Sequence, residues 1–165
     1  ERCAFERRGT RLYEGIIAKL EARGTFDGGP SLEQLQHLHG EELAHFKLLA
    51  RSIEDMGADP TAMTPCADVT AVASSGLVQV IADPRTTLAQ ALQAILIAEL
   101  ADGDGWQMLI ELCEDAGEDD LAEQFEGALR EENQHLALVR AWLSAHNEAA
   151  VSRADTERER APAHR

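Results

Sequence analysis

The chain is poor in aromatic side chains, with two Trp, one Tyr and four Phe among 165 residues. Its apolar fraction of 44% rests on Ala and Leu instead, with few β-branched runs, a mix that favours helices over sheet. Basic residues are also scarce: 15 Lys and Arg face 30 Asp and Glu, a formal net charge of −15. Nucleic-acid affinity rests largely on Lys and Arg neutralising phosphates, so no nucleic-acid partner is expected. An acidic surface can attract cations, although it more often serves solvation. Cys3, Cys66 and Cys113 are odd in number and form no C-x-x-C pair, which makes free thiols in a reducing compartment the simplest reading. No apolar run approaches the ~20 residues needed to span a bilayer, and no signal peptide is visible. A cytoplasmic protein without a membrane partner is therefore expected. The chain opens at Glu1, without Met, inside a helical pattern, so residues upstream are expected as well.

The length suits one domain with a sizeable core, and four long helices can be read. The first runs from the start to Arg23 and ends in the breaker cluster Gly24 to Pro30. The second opens with the capping box Ser31-x-x-Gln34 and stops near Gly57, with Pro60 beyond. The third opens with a second capping box, Thr87-x-x-Gln90, and ends at Gly117; the fourth follows from Glu118 to Asn147. The connection from Ala58 to Thr86 is far longer than a median loop and carries Val69, Val72, Leu77, Val78, Val80 and Ile81, so a short extra helix is expected in it. Such a crossover makes an all-α, antiparallel four-helix bundle of two hairpins. The chain turns polar after Glu148, so residues 1–148 read as the bundle and 149–165 as a disordered tail.

Two Glu-x-x-His pairs interrupt apolar seams. On the fourth helix the seam is Leu121, Phe125, Ala128, Glu132, His135, Val139 and Trp142; on the second it is Leu35, Leu38, Glu42, His45, Leu49, Ser52 and Met56. Residues three and four apart share a helix face, so each Glu and His projects together into the core. Composition alone produces roughly 0.7 such pairs by chance, so the spacing is weak and the placement carries the argument. An unpaired buried carboxylate costs several kcal/mol, and several of them in one small domain call for a compensating cation.

The two halves also match each other. With Glu6 set against Glu99, the residues seven further on are Tyr13 and Trp106, both aromatic. From Glu6 to Glu42 is 36 positions and from Glu99 to Glu132 is 33, so each half is a Glu helix followed by a Glu-x-x-His helix. Glu99 lies in the seam Leu88, Leu92, Ile95, Glu99, Asp102, Trp106 and Leu109, and Glu6 continues through Gly9, Tyr13, Ile16 and Leu20.

Four Glu and two His from four helices are the ligand set of dinuclear carboxylate bundles. On these residues the chain resembles the ferritin-like superfamily from Glu1 to Asn147, and within it rubrerythrin-type and bacterioferritin-type domains, whose first-helix Glu is also followed by Tyr at plus seven. The resemblance implies Glu6 and Glu99 as terminal ligands, Glu42 and Glu132 as bridges, and one imidazole each from His45 and His135. It implies two non-haem Fe ions reacting with O2 or peroxide, as a ferroxidase, peroxidase or oxidase. Carboxylate and imidazole ligands also suit Mn or Zn; iron comes from the resemblance. Four carboxylates against two divalent ions balance in charge. The alternatives are a metal-binding or stress-associated helical protein without turnover, and a manganese catalase-like enzyme. A homo-oligomer, a dimer, is the expected assembly. Three departures stand out: there are no C-x-x-C pairs for a rubredoxin-type module, the second helix offers no Met before Met56 where bacterioferritins place a haem ligand, and the polar C-terminal tail is a poor match for the fifth helix of cage-forming ferritins.

Neighbouring residues leave alternatives. Glu14 rivals Glu6 on the first helix, although the repeat sets it against Gln107. Asp102 reads as an acceptor fixing a His tautomer, an extra ligand, or an exposed residue. Tyr13 is the candidate catalytic side chain, because its hydroxyl needs a buried acceptor; core packing is the plainer role for it and for Trp106. His37 and His39 fall off the seam, and Glu41 and Glu131 should face away from the ligands. Gly103 and Gly105 weaken the third helix by roughly 1 kcal/mol each relative to Ala, which fits a close helix approach, a π-bulge or a tolerated weak turn.

Overall fold

The computed structural model describes residues 1–160, and those residues hold helices and no strand. In chain order the helices are α1 (Arg2–Arg23), α2 (Leu32–Asp55), α3 (Pro65–Ala73), α4 (Ser75–Ala82), α5 (Leu88–Ala116) and α6 (Asp119–Arg160). Both capping boxes close. Gln34 N donates to Ser31 Oγ at 3.1 Å and Ser31 N to Gln34 Oε1 at 2.9 Å; Thr87 and Gln90 repeat this at 3.2 and 2.9 Å. Gly117 ends α5 in the left-handed region at φ 76°, where Glu118 N reaches Cys113 O at 2.9 Å. A residue with a Cβ would be strained there, and the tight turn lets α6 start at once.

α1 packs on α2 and α5 on α6 as two hairpins, joined chiefly through α1 against α5. The crossover contains two short helices rather than one, broken at Ser74. Basic residues of α1 hold it in place: Arg8 Nη1 donates to Ala71 O and Ser74 Oγ at 2.7 Å each, and Lys19 Nζ to Asp83 O and Thr86 O at 2.9 and 3.0 Å. Contrary to the expectation that no apolar run approaches a span, Pro65–Ala82 is long and apolar enough to cross a membrane by length and composition alone, but it is divided at Ser74 into helices of nine and eight residues.

The other departure is at the C-terminus. Residues 149–160 continue α6 instead of forming a disordered stretch, with 150–154 exposed. The remaining residues of the expected tail, 161–165, lie outside the described residues.

The apolar core falls into two clusters. One gathers Leu12, Ile16, Leu38, Ile95 and Val139; the other gathers Cys3, Leu49, Trp106, Phe125 and Ala128. On every long helix the charged seam residues sit between a member of one cluster and a member of the other. The bundle is thus apolar towards both ends and polar in a middle layer. The seams run as expected except at their margins, where Met56 is 68% exposed and Ile110 rather than Leu109 is buried.

Candidate metal centre

The middle layer is built by one face of each long helix. α1 contributes Glu6, α2 Glu42 and His45, α5 Glu99, and α6 Glu132 and His135; none is more than 3% exposed. Their atoms converge in two groups. Glu42, Glu99, Glu132 and His135 each place one ligand atom within 4.8 Å of the others, and Glu6, His45 and Glu132 do the same, so Glu132 belongs to both. Gly9 makes room for this: a Cβ there would collide with Glu42 Oε2 and lie 3.0 Å from its Cδ. Glu14, the rival of Glu6, is exposed and lies 3.6 Å from His39 at the surface. His37 is exposed and His39 half-buried, both apart from the two groups.

Both rings turn Nδ1 inward. His45 Nδ1 lies 2.7 Å from Glu132 Oε1 and 4.0 Å from Glu6 Oε2. His135 Nδ1 lies 3.4, 3.5 and 3.7 Å from oxygens of Glu132, Glu42 and Glu99. Their outer nitrogens meet Glu131 and Glu41, which corrects the expectation that these residues face elsewhere. His45 Nε2 is 2.7 Å from Glu131 Oε2, and His135 Nε2 is 2.9 Å from Glu41 Oε2. Each Glu-Glu-x-x-His segment therefore supplies one inward carboxylate and one carboxylate for the ring of the other segment. A neutral imidazole that donates through Nε2 keeps its Nδ1 lone pair for a metal. The doubled Glu41-Glu42 and Glu131-Glu132 was the visible signal for this role.

Tyr13 Oη donates to Glu99 Oε1 at 2.6 Å, and its ring stands edge-on to His135 at 6.2 Å. Trp106 repeats that packing on the other side, edge-on to His45 at 5.6 Å. Asp102 is buried and binds Arg2 rather than a His, so the tautomer role falls to Glu41 and Glu131. Arg2, which the sequence reading passed over, also donates through Nε to Glu6 Oε1 at 2.9 Å. Its guanidinium occupies the notch at Gly105, where a Cβ would collide with it. Gly105 thus serves close approach, and α5 remains α-helical without a π-bulge. Nothing lies within 4 Å of a Cβ added at Gly103.

The electrostatics of this layer favour a cation. Burial pushes the Glu6 and Glu99 carboxyls well above their usual range, reinforced by Asp102 at Glu6 and by Glu42 at Glu99. Burial also raises Glu42 despite the His135 contact, and raises Asp102 to about 8, with repulsion from Glu132 second. Burial works against the charged forms of Glu132 and His135 too. There the mutual contact wins, holding Glu132 low and His135 high. The 2.7 Å approach of Glu132 to His45 lacks hydrogen-bond alignment, so both atoms stay without a hydrogen-bond partner. The same holds for Glu6 Oε2, Glu42 Oε2, Glu99 Oε2, the second Glu132 oxygen and His135 Nδ1. Buried polar atoms without partners are rare and costly. Here each of the six residues carries such an atom in the middle layer, and all are O or N donors of the kind that hold divalent first-row metals. The residues fit a pair of metal ions.

Comparison with known proteins agrees with this geometry. The family model described as the ferritin-like domain matches residues 28–148, which take in both Glu-x-x-His pairs and Glu99. Glu6 lies ahead of that span and joins the site through the fold. No curated protein and no solved structure matches the chain. The match covers well over half of the sequence, and the chain belongs to the ferritin-like domain family.

Proposed function

We propose that this chain is a di-iron protein that reacts with O2 or peroxide, as a ferroxidase, peroxidase or oxidase. The observation that carries the reading is the duplicated half-site: one Glu and one Glu-x-x-His from each hairpin, closing on a shared Glu132 with inward polar atoms unpartnered. Glu6 and Glu99 would each hold one metal, Glu42 and Glu132 both, and the two His one each through Nδ1. Two Fe(II) bound there supply two electrons at one place, as reduction of peroxide requires. Burial and the Glu99 charge push the Tyr13 hydroxyl well above its usual range, so Tyr13 keeps its proton and orients Glu99 as a donor. Glu41 and Glu131 hold the rings, while the unpartnered oxygens of Glu6, Glu42, Glu99 and Glu132 would take up the metals. Tyr13 at plus seven from Glu6 supports the finer likeness to rubrerythrin-type and bacterioferritin-type domains.

The test is anaerobic loading with Fe(II) to two per chain, followed by pulses of O2 or peroxide. Consumption of either, lost in Glu132→Ala, is the expected result. Loaded protein inert to both sinks the reading and leaves metal binding without turnover. Faster peroxide turnover with Mn(II) than with Fe(II) would move the assignment to manganese catalase-like chemistry. We further propose a cytoplasmic homodimer. Free thiols at Cys3, Cys66 and Cys113 support the compartment, and the exposed Ile97, Leu100, Met108 and Leu112 of α5 support the assembly. A single monomeric species in sedimentation at micromolar concentration would refute the dimer.

A further inference from the structure

The two halves of the centre superpose in sequence with Glu6 on Glu99 and Tyr13 on Trp106, an offset of 93. The match fails at three neighbouring places. Where α1 has Gly9, α5 has Asp102; where α5 has Ile95, α1 has Arg2; where α1 has Leu12, α5 has Gly105. Those departures meet in space. Arg2 donates through Nη2 to Asp102 Oδ1 and through Nη1 to Asp102 O at 3.4 Å, and its guanidinium fills the space that a side chain at position 105 would take. One half of the centre thus carries an extra anion, an extra cation bound to it, and the notch that admits the cation.

The extra anion matters because Asp102 joins Glu6, Glu42 and Glu132 in a third group whose oxygens lie within 4.8 Å of one another. Glu6, Glu42 and Glu132 of that group each carry a buried oxygen without a hydrogen-bond partner. Arg2 serves two of the four, with Nη2 also 2.7 Å from Glu6 Oε1. The arginine is well fixed: its side chain is 13% exposed, and its guanidinium carbon stands 4.4 Å from the Phe5 ring centre and 5.8 Å from that of Trp106, within cation–π range.

We propose that Arg2 is the built-in third cation of the centre, one that limits it to two exchangeable metal ions and leaves Glu6 a single free oxygen, Oε2, for ligation. The inference rests on the two-metal reading above. Five buried carboxylates against two divalent ions leave one negative charge, and Arg2 cancels it. Arg2 is a positioning residue: it fixes how Glu6 binds and closes the Asp102 side to a further ion.

Zn(II), which has no redox turnover, is the probe, bound under equilibrium dialysis in about 0.15 M salt so that the acidic surface is screened. Wild type should bind two ions per chain. Arg2→Gln should bind three, because the Asp102 group loses its resident cation, and Arg2→Gln with Asp102→Asn should return to two. Arg2→Gln remaining at two with unchanged affinity overturns the proposal, as does a loss of zinc that Asp102→Asn fails to restore. Should Arg2→Gln fail to fold, Gly105→Ala takes its place, since the added methyl displaces only the flexible end of Arg2; the same counts decide. Fewer than two ions in wild type would instead overturn the two-metal reading, before any variant is compared.

Discussion

Removing the metal should invert the pH dependence of stability. In the metal-free protein Glu6, Glu99, Glu42 and Asp102 all have raised carboxyl pKa values, the last at about 8. His45 and His135 are raised as well: burial disfavours their charged forms, but their contacts with carboxylates, above all Glu132, outweigh it. A group raised on folding stabilises the folded state below its unfolded pKa, and that contribution disappears as pH rises through the folded value. From about pH 8 down to about pH 6.5 these six groups therefore act in the same direction, below that the four carboxyls alone continue to about pH 5, and the metal-free protein gains stability on acidification. Glu132 is the exception, held at about 2; its contribution is present above the usual carboxylate pKa and falls away only in stronger acid, outside the window. Each proton held by the folded but not the unfolded chain contributes a slope of about 1.4 kcal/mol per pH unit. Two pH units and one net proton amount to roughly 3 kcal/mol, or about 6–12 °C in Tm for a chain of this size. The loaded protein should behave oppositely, because its ligands must be deprotonated. At a hundredfold excess over Kd each site adds about 2.7 kcal/mol, and acid removes it. Calorimetric melts with saturating metal and with chelator, at about pH 5, 6 and 7.5, test the reasoning. A metal-free Tm that falls steadily from about pH 8 to pH 5 would refute it, since the carboxylates would then be satisfied without a cation.

Three further outcomes are expected. Glu132→Ala should lower the metal-free Tm at neutral pH, because it removes the buried carboxylate that faces the inward nitrogen of both His45 and His135; breaking a buried pair costs about 3–5 kcal/mol at most, since Glu131 and Glu41 stay on the outer nitrogens, and an unchanged melt would show the rings to be neutral. Glu131→Ala and Glu41→Ala should each weaken metal binding by about 10–100-fold while leaving helicity intact, read by competition with a chromophoric chelator; no change would make their 2.7 and 2.9 Å contacts incidental. Gly9→Ala should keep or raise helix content, since Ala exceeds Gly by roughly 1 kcal/mol in a helix, yet lose metal, because the new methyl takes the place of Glu42 Oε2; full metal content in that variant would remove Glu42 from the centre.

Much of this could be read from the sequence because helix periodicity is a local property. Glu42 with His45 and Glu132 with His135 share a face by spacing alone, and Ser31, Thr87 and Gly117 mark ends through contacts made within a few residues. What stayed hidden depends on contacts between distant segments. Glu131 reaches His45 and Glu41 reaches His135 across the bundle, over 86 and 94 positions, so single-helix geometry could only place them off the seam. Arg2 finds Asp102 across 100 positions, although its position four before Glu6 was open to a helix-pair reading. The tail departs from its composition for a different reason. Polar composition from Val151 onward suggests disorder, but no Gly or Pro interrupts the chain between Gly127 and Pro162, and α6 continues to Arg160 on helix propensity, with 150–154 exposed.

The division of the core explains why fold and site could be read separately. On α1 the order is Cys3, Glu6, Leu12; on α2 Leu38, Glu42, His45, Leu49; on α5 Ile95, Glu99, Trp106; on α6 Ala128, Glu132, His135, Val139. Each helix thus carries an apolar anchor on both sides of its charged turn. Apolar burial at about 25 cal/mol per Å² acts at both ends of the bundle whether or not the middle layer holds metal. The middle layer subtracts from that, since unpartnered buried oxygens and nitrogens lose hydration without gaining partners. A seam that spends a full turn of four helices on charge, between two intact apolar clusters, is a poor solution for stability alone. It is a good one for holding cations in fixed geometry, because the flanking clusters keep the ligands converged when the site empties. The bundle should therefore stay helical after chelation, with the loss confined to Tm and to the exchange protection of amides near Glu42, Glu99 and Glu132.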